Sequence, residues 1–131
     1  MNSNQKELVK YRLERSKETL EQAKIMFDTK HPTGVINRLY YACFYAVSAL
    51  LLCYSKSSAK HSGVLGLFNK DFIKNGIFPH EMGKFYTNLF ASRQDADYAD
   101  MVEVEENQVK ELLSQSEIFI ADISKHVWQK L

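Results

Sequence analysis

The sequence predicts an all-α protein, an up-and-down bundle of four or five helices around a buried second helix. Three observations carry that prediction. The run from Asn37 to Leu52 has no charge after Arg38 and no Gly or Pro. It is too long for one strand and, as a helix, apolar on nearly every side. Segments on both sides of it repeat apolar residues with helical period, and no β-alternation, repeat or low-complexity tract interrupts the 131 residues.

The first helix is expected from about Lys6 to Thr29, with Leu13, Ser16, Leu20, Ala23 and Phe27 on its inner stripe. His31-Pro32-Thr33-Gly34 breaks it, and Pro32 with Thr33 can open the next. The core helix then runs to about Tyr54. Leu39, Cys43, Ala46 and Leu50 form one line along it, and Tyr40, Phe44, Val47 and Leu51 a second. A membrane span wants about 20 mostly apolar residues, and Tyr40, Tyr41, Tyr45, Cys43 and Ser48 make this run too wet for one. It is read as the core of a soluble bundle with no membrane contact.

Ser57 or Ser58 is a candidate cap for a third helix over about 59–74, which buries Val64, Leu67, Phe68 and Phe72 and stops at Asn75-Gly76. A fourth runs from Glu81 to about Ser92 or slightly beyond, with Phe85, Leu89 and Phe90 inward, and an acidic connection follows. The last spans about 103–129 and buries Val109, Leu112, Leu113, Ser116, Phe119, Ile120, Ile123 and Val127, with Trp128 anchoring it to the bundle.

Length and composition fit one domain, residues 1–131, with an ordinary balance of 45% apolar and 25% charged residues. A net charge of +1 excludes strong bulk attraction to nucleic acid or membrane but leaves room for a local patch. The polar N-terminus lacks the apolar core of a secretory signal, which points to the cytoplasm. Cys43 and Cys53, ten residues apart on one helix, are separated by roughly 15 Å, too far for a bridge. They are expected to be free thiols.

Three polar clusters do not belong to a plain bundle. Asn37-Arg38 opens the apolar run, with Tyr41 and Tyr45 one and two turns on. Lys60-His61-Ser62-Gly63 falls at the start of the third helix, where free N–H groups and the helix dipole favour an anion. Arg93-x-Asp95-x-Asp97-Tyr98 closes the fourth. Each also has a structural reading: a polar pair at a helix start, core or interface tyrosines, a capped helix, and a salt-bridge network locking a turn. The acidic stretch matches no metal-loop spacing, so no metal or cofactor is expected. His31, His80 and His126 read as isolated surface or loop histidines.

Asn37-Arg38-x-Tyr40-Tyr41-Ala42-x-Phe44-Tyr45-Ala46, then Lys60-His61-Ser62-Gly63, then Arg93-x-Asp95-Ala96-Asp97-Tyr98, in this order and spacing, resemble the small stand-alone members of the HEPN superfamily, the higher-eukaryote and prokaryote nucleotide-binding domain. The resemblance covers nearly the whole chain. It implies a bundle of four or five helices, commonly a homodimer, that works beside a minimal nucleotidyltransferase in a toxin–antitoxin or defence module. Active members cleave RNA without a metal. An arginine holds the phosphate, and a histidine after four to six intervening residues moves the proton of the 2′-hydroxyl. A tyrosine near that motif, the place of Tyr98 here, is one the partner enzyme can nucleotidylate.

The chain departs from that pattern. The positions after Arg93 where the histidine belongs hold Tyr98, Ala99 and Asp100, and those after Arg38 hold Cys43, Phe44 and Tyr45. The expectation is therefore a nucleotide- or RNA-phosphate-binding module with a degenerate nuclease motif and no assigned catalytic residue. The alternatives are a metal-independent ribonuclease toxin and a dimeric interaction bundle without ligand. The binding set is Asn37, Arg38, Tyr41, Lys60, His61, Arg93, Asp97 and Tyr98. Alternating helix directions group Lys60 and His61 with Arg93 and Tyr98, at the end away from Arg38.

Overall fold

The computed structural model describes residues 1–98 and 105–131, with side chains given outside 94–104. Its helices are α1 (Ser3–Asp28), α2 (Pro32–Cys53), α3 (His61–Phe68), α4 (His80–Tyr98) and α5 (Glu106–Lys130). No strand occurs among the described residues. α2 packs against α1, α3, α4 and α5, and so forms the axis of the bundle.

α2 has the length and hydropathy of a membrane-crossing helix, yet 67% of its most apolar window is buried by the rest of the bundle. Leu39, Tyr40, Cys43, Ala46, Val47 and Leu50 are all fully enclosed. Burial of a Leu- or Val-sized side chain is worth about 1.5–3 kcal/mol, so this helix dominates the driving force.

α1 and α2 form an antiparallel hairpin, as the contacts between them make plain. Gln5 Nε2 donates to the Leu52 carbonyl (2.7 Å), Arg12 to that of Ser48 (3.3 Å) and Ser16 Oγ to that of Ala42 (2.7 Å). The partner on α2 moves back as α1 advances. Ser16 is buried because its hydroxyl is satisfied this way.

Local chemistry sets the ends. α1 begins three residues earlier than expected, because the Asn2 side chain accepts the Gln5 N–H (2.8 Å) as a cap. It stops at Lys30, whose φ of 61° is left-handed. The His31 and Lys30 N–H groups return to the Met26 and Phe27 carbonyls, a Schellman ending. α2 repeats the motif at Ser55, φ 57°, with Lys56 and Ser55 bonded back to Leu51 and Leu52. Pro32 opens α2.

Several expectations are corrected. Ser57 and Ser58 do not cap α3; Lys60 holds that position, and the Ser58 hydroxyl accepts its N–H (3.2 Å). The third helix does not stay α-helical to Lys74. Asn69–Ile73 is a π turn, with the Lys74 N–H bonded to the Asn69 carbonyl (2.9 Å). That turn carries Phe72 onto Phe68 and Tyr54, and its Asp71 carboxylate accepts from Lys56 (2.6 Å). α4 continues six residues past Ser92 to Tyr98, so Arg93 lies inside a helix. Tyr86, missed because its hydroxyl resembles a surface group, is fully buried beside Leu89. Trp128 is 54% exposed, so it is not a buried anchor of the last helix. His126 is not isolated: its Nε2 meets the Tyr54 hydroxyl at 2.8 Å, and its ring packs on Phe78.

Candidate functional site

The polar residues of interest collect around the first two turns of α2 that follow Asn37. Arg38 is half-buried at the entrance. Its Nε and Nη2 donate to Asn37 Oδ1 (3.2 and 2.8 Å), and Nη1 reaches Gln22 Oε1 at 3.5 Å. All these acceptors are amides. No carboxylate lies within ion-pair distance of Arg38 among the described residues. Its guanidinium sits 5.5 Å from the centroid of the Tyr41 ring.

Arg93, from α4, comes to the same ring. Its guanidinium carbon is 5.9 Å from the Tyr41 centroid and 4.8 Å from that of Tyr40. A cation over an aromatic face gains about 0.5–2 kcal/mol, more where water is excluded. The Tyr41 ring thus carries two guanidinium groups.

Tyr40 is the hub. Its hydroxyl meets His61 Nδ1 at 3.0 Å, and its ring stacks on Phe44, His61 and Tyr86. Burial pushes its phenol up to about 12, although Arg93 pulls the other way. It is a neutral hydrogen-bonding group at physiological pH. The Tyr86 hydroxyl, buried on the far side, has its pKa raised by burial and then by Tyr40.

His61 is the first residue of α3. Its ring stacks on Phe44 at 4.4 Å. Burial first, and the charge of Arg93 second, lower its pKa below the ordinary histidine value. It is therefore neutral at pH 7, the form that can accept a proton. The arrangement is a half-open polar cluster with two fixed cations, a neutral imidazole and a neutral phenol. Such a set can hold an oxyanion and has a base beside it.

Of the sequence-predicted residues, the structure brings Asn37, Arg38, Tyr41, His61 and Arg93 together. This corrects the expectation that Arg38 would lie at the opposite end from His61 and Arg93. The expectation treated α3 and α4 as full-length antiparallel rods, whereas α3 has eight residues and lays His61 against the middle of α2. Lys60 is exposed and makes no side-chain hydrogen bond or ion pair among the described residues. Asp97 and Tyr98 lie outside the described side chains, as does the network expected between Arg93, Asp95 and Asp97. No group of three or more His, Cys, Asp or Glu able to hold a metal occurs among the described residues. Sequence reasoning missed Tyr40 as a participant, because a residue on a continuous apolar line reads as core. The one available signal was its place directly before Tyr41 and two residues after Arg38.

Comparison with known proteins bears on the whole chain. The HEPN domain profile matches residues 9–126. A Thermotoga maritima protein named "UPF0332 protein" is 42% identical over 125 residues, covering 95% of this chain and 94% of that protein. Two Methanocaldococcus jannaschii proteins, named "Putative toxin MJ0142" and "Putative toxin MJ0605", are 32% and 30% identical. They cover 90% and 95% of this chain, and 80% and 92% of their own lengths respectively. The all-helical bundle, the three motifs and the extent of these matches agree: this chain belongs to the HEPN domain family.

Proposed function

We propose that this chain is a nucleotide- or RNA-phosphate-binding module of a toxin–antitoxin or defence system, acting in the cytoplasm as a homodimer beside a nucleotidyltransferase. The observation that carries the reading is the pair of arginines on Tyr41, with the charge of Arg38 met by amide oxygens and that ring and by no carboxylate among the described residues. A half-buried cation without a carboxylate is costly, and a phosphate is the ligand that offsets the cost. Asn37 orients Arg38, Tyr41 carries both guanidinium groups, and Tyr40 fixes His61. Tyr98, one helical turn and a residue beyond Arg93, is the proposed acceptor for nucleotidylation by the partner. The two relatives named as toxins favour a toxin role for the module.

One observation favours a second reading, a metal-independent ribonuclease. His61 and Arg93 share the Tyr40 ring, so an arginine and a neutral histidine are neighbours even though the spacing along the chain is wrong for the family's motif.

Titration of purified protein with labelled single-stranded RNA, without metal, tests both. Arg38→Gln and Arg93→Gln are each expected to weaken binding at least tenfold and to lower the salt dependence by about one unit of slope. Unchanged affinity and slope in both variants would defeat the binding reading. Cleavage that disappears in His61→Gln and Arg93→Gln moves the assignment to the ribonuclease.

A further inference from the structure

Two cavities outside the Arg38–Arg93 cluster meet at Leu8 and Ser57, which line both. One, of about 460 Å³, lies between α1, α2 and the link to α3. The other, of about 440 Å³, lies between the start of α1 and the end of α2. Together they form one groove. Gln5, Leu8, Arg12 and Arg15 recur at helical spacing along its α1 wall. From Gln5 to Arg15 that wall is roughly 15 Å long, about three turns of helix. None of the residues proposed to bind phosphate lines it.

The groove is apolar along its length and short of one negative charge. Phe44, Leu51 and Val64 supply its floor. Leu8 and Tyr11, one turn apart, are large and exposed on its α1 wall, and exposed apolar surface grouped in this way marks an interaction face. The walls are tied together in advance, since Gln5 Nε2 donates to the Leu52 carbonyl (2.7 Å) and to the Ser55 hydroxyl (3.3 Å). Of the cations, Lys56 is paired with Asp71 and Arg15 with Glu18. Arg12 is half-buried and has no carboxylate within ion-pair distance among the described residues. Its one hydrogen bond there goes to the Ser48 carbonyl (3.3 Å).

We propose that this groove docks a segment of another protein that carries one carboxylate among large apolar side chains. The carboxylate takes the free donors of Arg12, which can grip it with two parallel hydrogen bonds. The apolar side chains cover Leu8 and Tyr11 and fill the floor beside Phe44, the arrangement of an amphipathic segment laid in a groove. A single uncompensated cation among apolar walls suits such a segment. It does not suit a nucleic-acid strand, which brings a charge with every unit.

Selection of a phage-displayed random dodecapeptide library on the full chain tests this, followed by fluorescence polarisation with the most enriched peptide. Enriched peptides are expected to share one Asp or Glu within a helical turn of Leu, Ile, Phe or Trp. Arg12→Gln should weaken binding at least about tenfold and Tyr11→Ala several-fold, each with an unaltered helical circular dichroism spectrum. Replacing the peptide's carboxylate by its amide should cause a similar loss, and the two changes together should cost much less than their sum. Ile25→Ser, exposed on α1 but outside the groove, should bind as the unaltered chain does. Failure to enrich peptides, enrichment without a carboxylate, additive losses in the cycle, or displacement of the peptide by AMP would each overturn the proposal. Self-association of the chain that Arg12→Gln and Tyr11→Ala abolish would also overturn it, by giving the groove to a second copy. Tyr11 is exposed, so its variant decides the matter even where Arg12→Gln unfolds the chain.

Discussion

At the scale of single residues, the contrast between Tyr40 and His61 shows how one side chain serves two purposes. The Tyr40 ring is core, enclosed by Phe44, Tyr86 and Phe90, while its hydroxyl reaches His61 at the edge. Sequence reasoning separates core from site by pattern, and a residue that belongs to both defeats that separation. His61 and Arg93 were legible as candidates because charged and titratable residues beside an apolar stretch are uncommon. A pH dependence follows. His61 and His126 both have pKa values lowered by burial, helped by Arg93 and Lys130 respectively. Between those folded values and the ordinary value of about 6.5, the unfolded chain binds more protons. Their contribution to stability is complete above about pH 6.5 and is lost as pH falls through the folded values. Urea midpoints are expected to drop between about pH 7.5 and 5.5, and the double variant His61→Gln/His126→Gln should flatten that slope. A slope unchanged by the double variant contradicts the assignment.

At the scale of elements, helix existence was readable and helix geometry was not. The periodicity of α1, α2 and α5 marked each one, and most of the inward residues named for α5 are buried. The π turn at Asn69–Ile73 has no signature in a periodicity argument, because one extra residue in a turn looks like a slipped stripe. Gly83 belongs with that turn. A Cβ there would stand 2.8 Å from Asn69 Oδ1 and 2.9 Å from Ile73 Cγ1. Asn69 is tied to Thr87 (3.1 Å), so it gives way poorly. Gly83→Ala is expected to cost about 1 kcal/mol net, overpacking outweighing the gain in helix propensity. Gly34→Ala should be close to neutral, since its Cβ would meet only the flexible end of Met26. Thermal or urea unfolding of the two variants distinguishes them, and equal stabilities would refute the close approach at Gly83. Lys30 offers the opposite test. Its φ of 61° is unfavourable for an L side chain, so Lys30→Gly should stabilise the chain by about 0.5–1 kcal/mol.

At the scale of the molecule, everything hangs on α2. Cys43 lies fully buried in that helix, and burial pushes its thiol up to about 12, with the Ser116 hydroxyl offsetting a little. A thiol in that state reacts only when the bundle opens. In a Cys53→Ser background, labelling of Cys43 should follow global unfolding, accelerating with denaturant along the equilibrium curve. Rapid labelling independent of denaturant would mean that α2 is not the enclosed axis of the bundle.

The sequence alone determined the helical class, the enclosed second helix, the inward faces and the types of residue able to meet a phosphate. These are local properties, since hydrophobic period and composition are written into neighbouring positions. Only the tertiary structure decided that Arg38, Arg93 and His61 meet on two adjacent tyrosines, and that Arg12 and Arg15 border a cavity. A helix's own pattern fixes which face turns inward but not which partner it meets or at what height. Those follow from helix lengths, an eight-residue α3 and a π turn, which are settled by packing between distant parts of the chain.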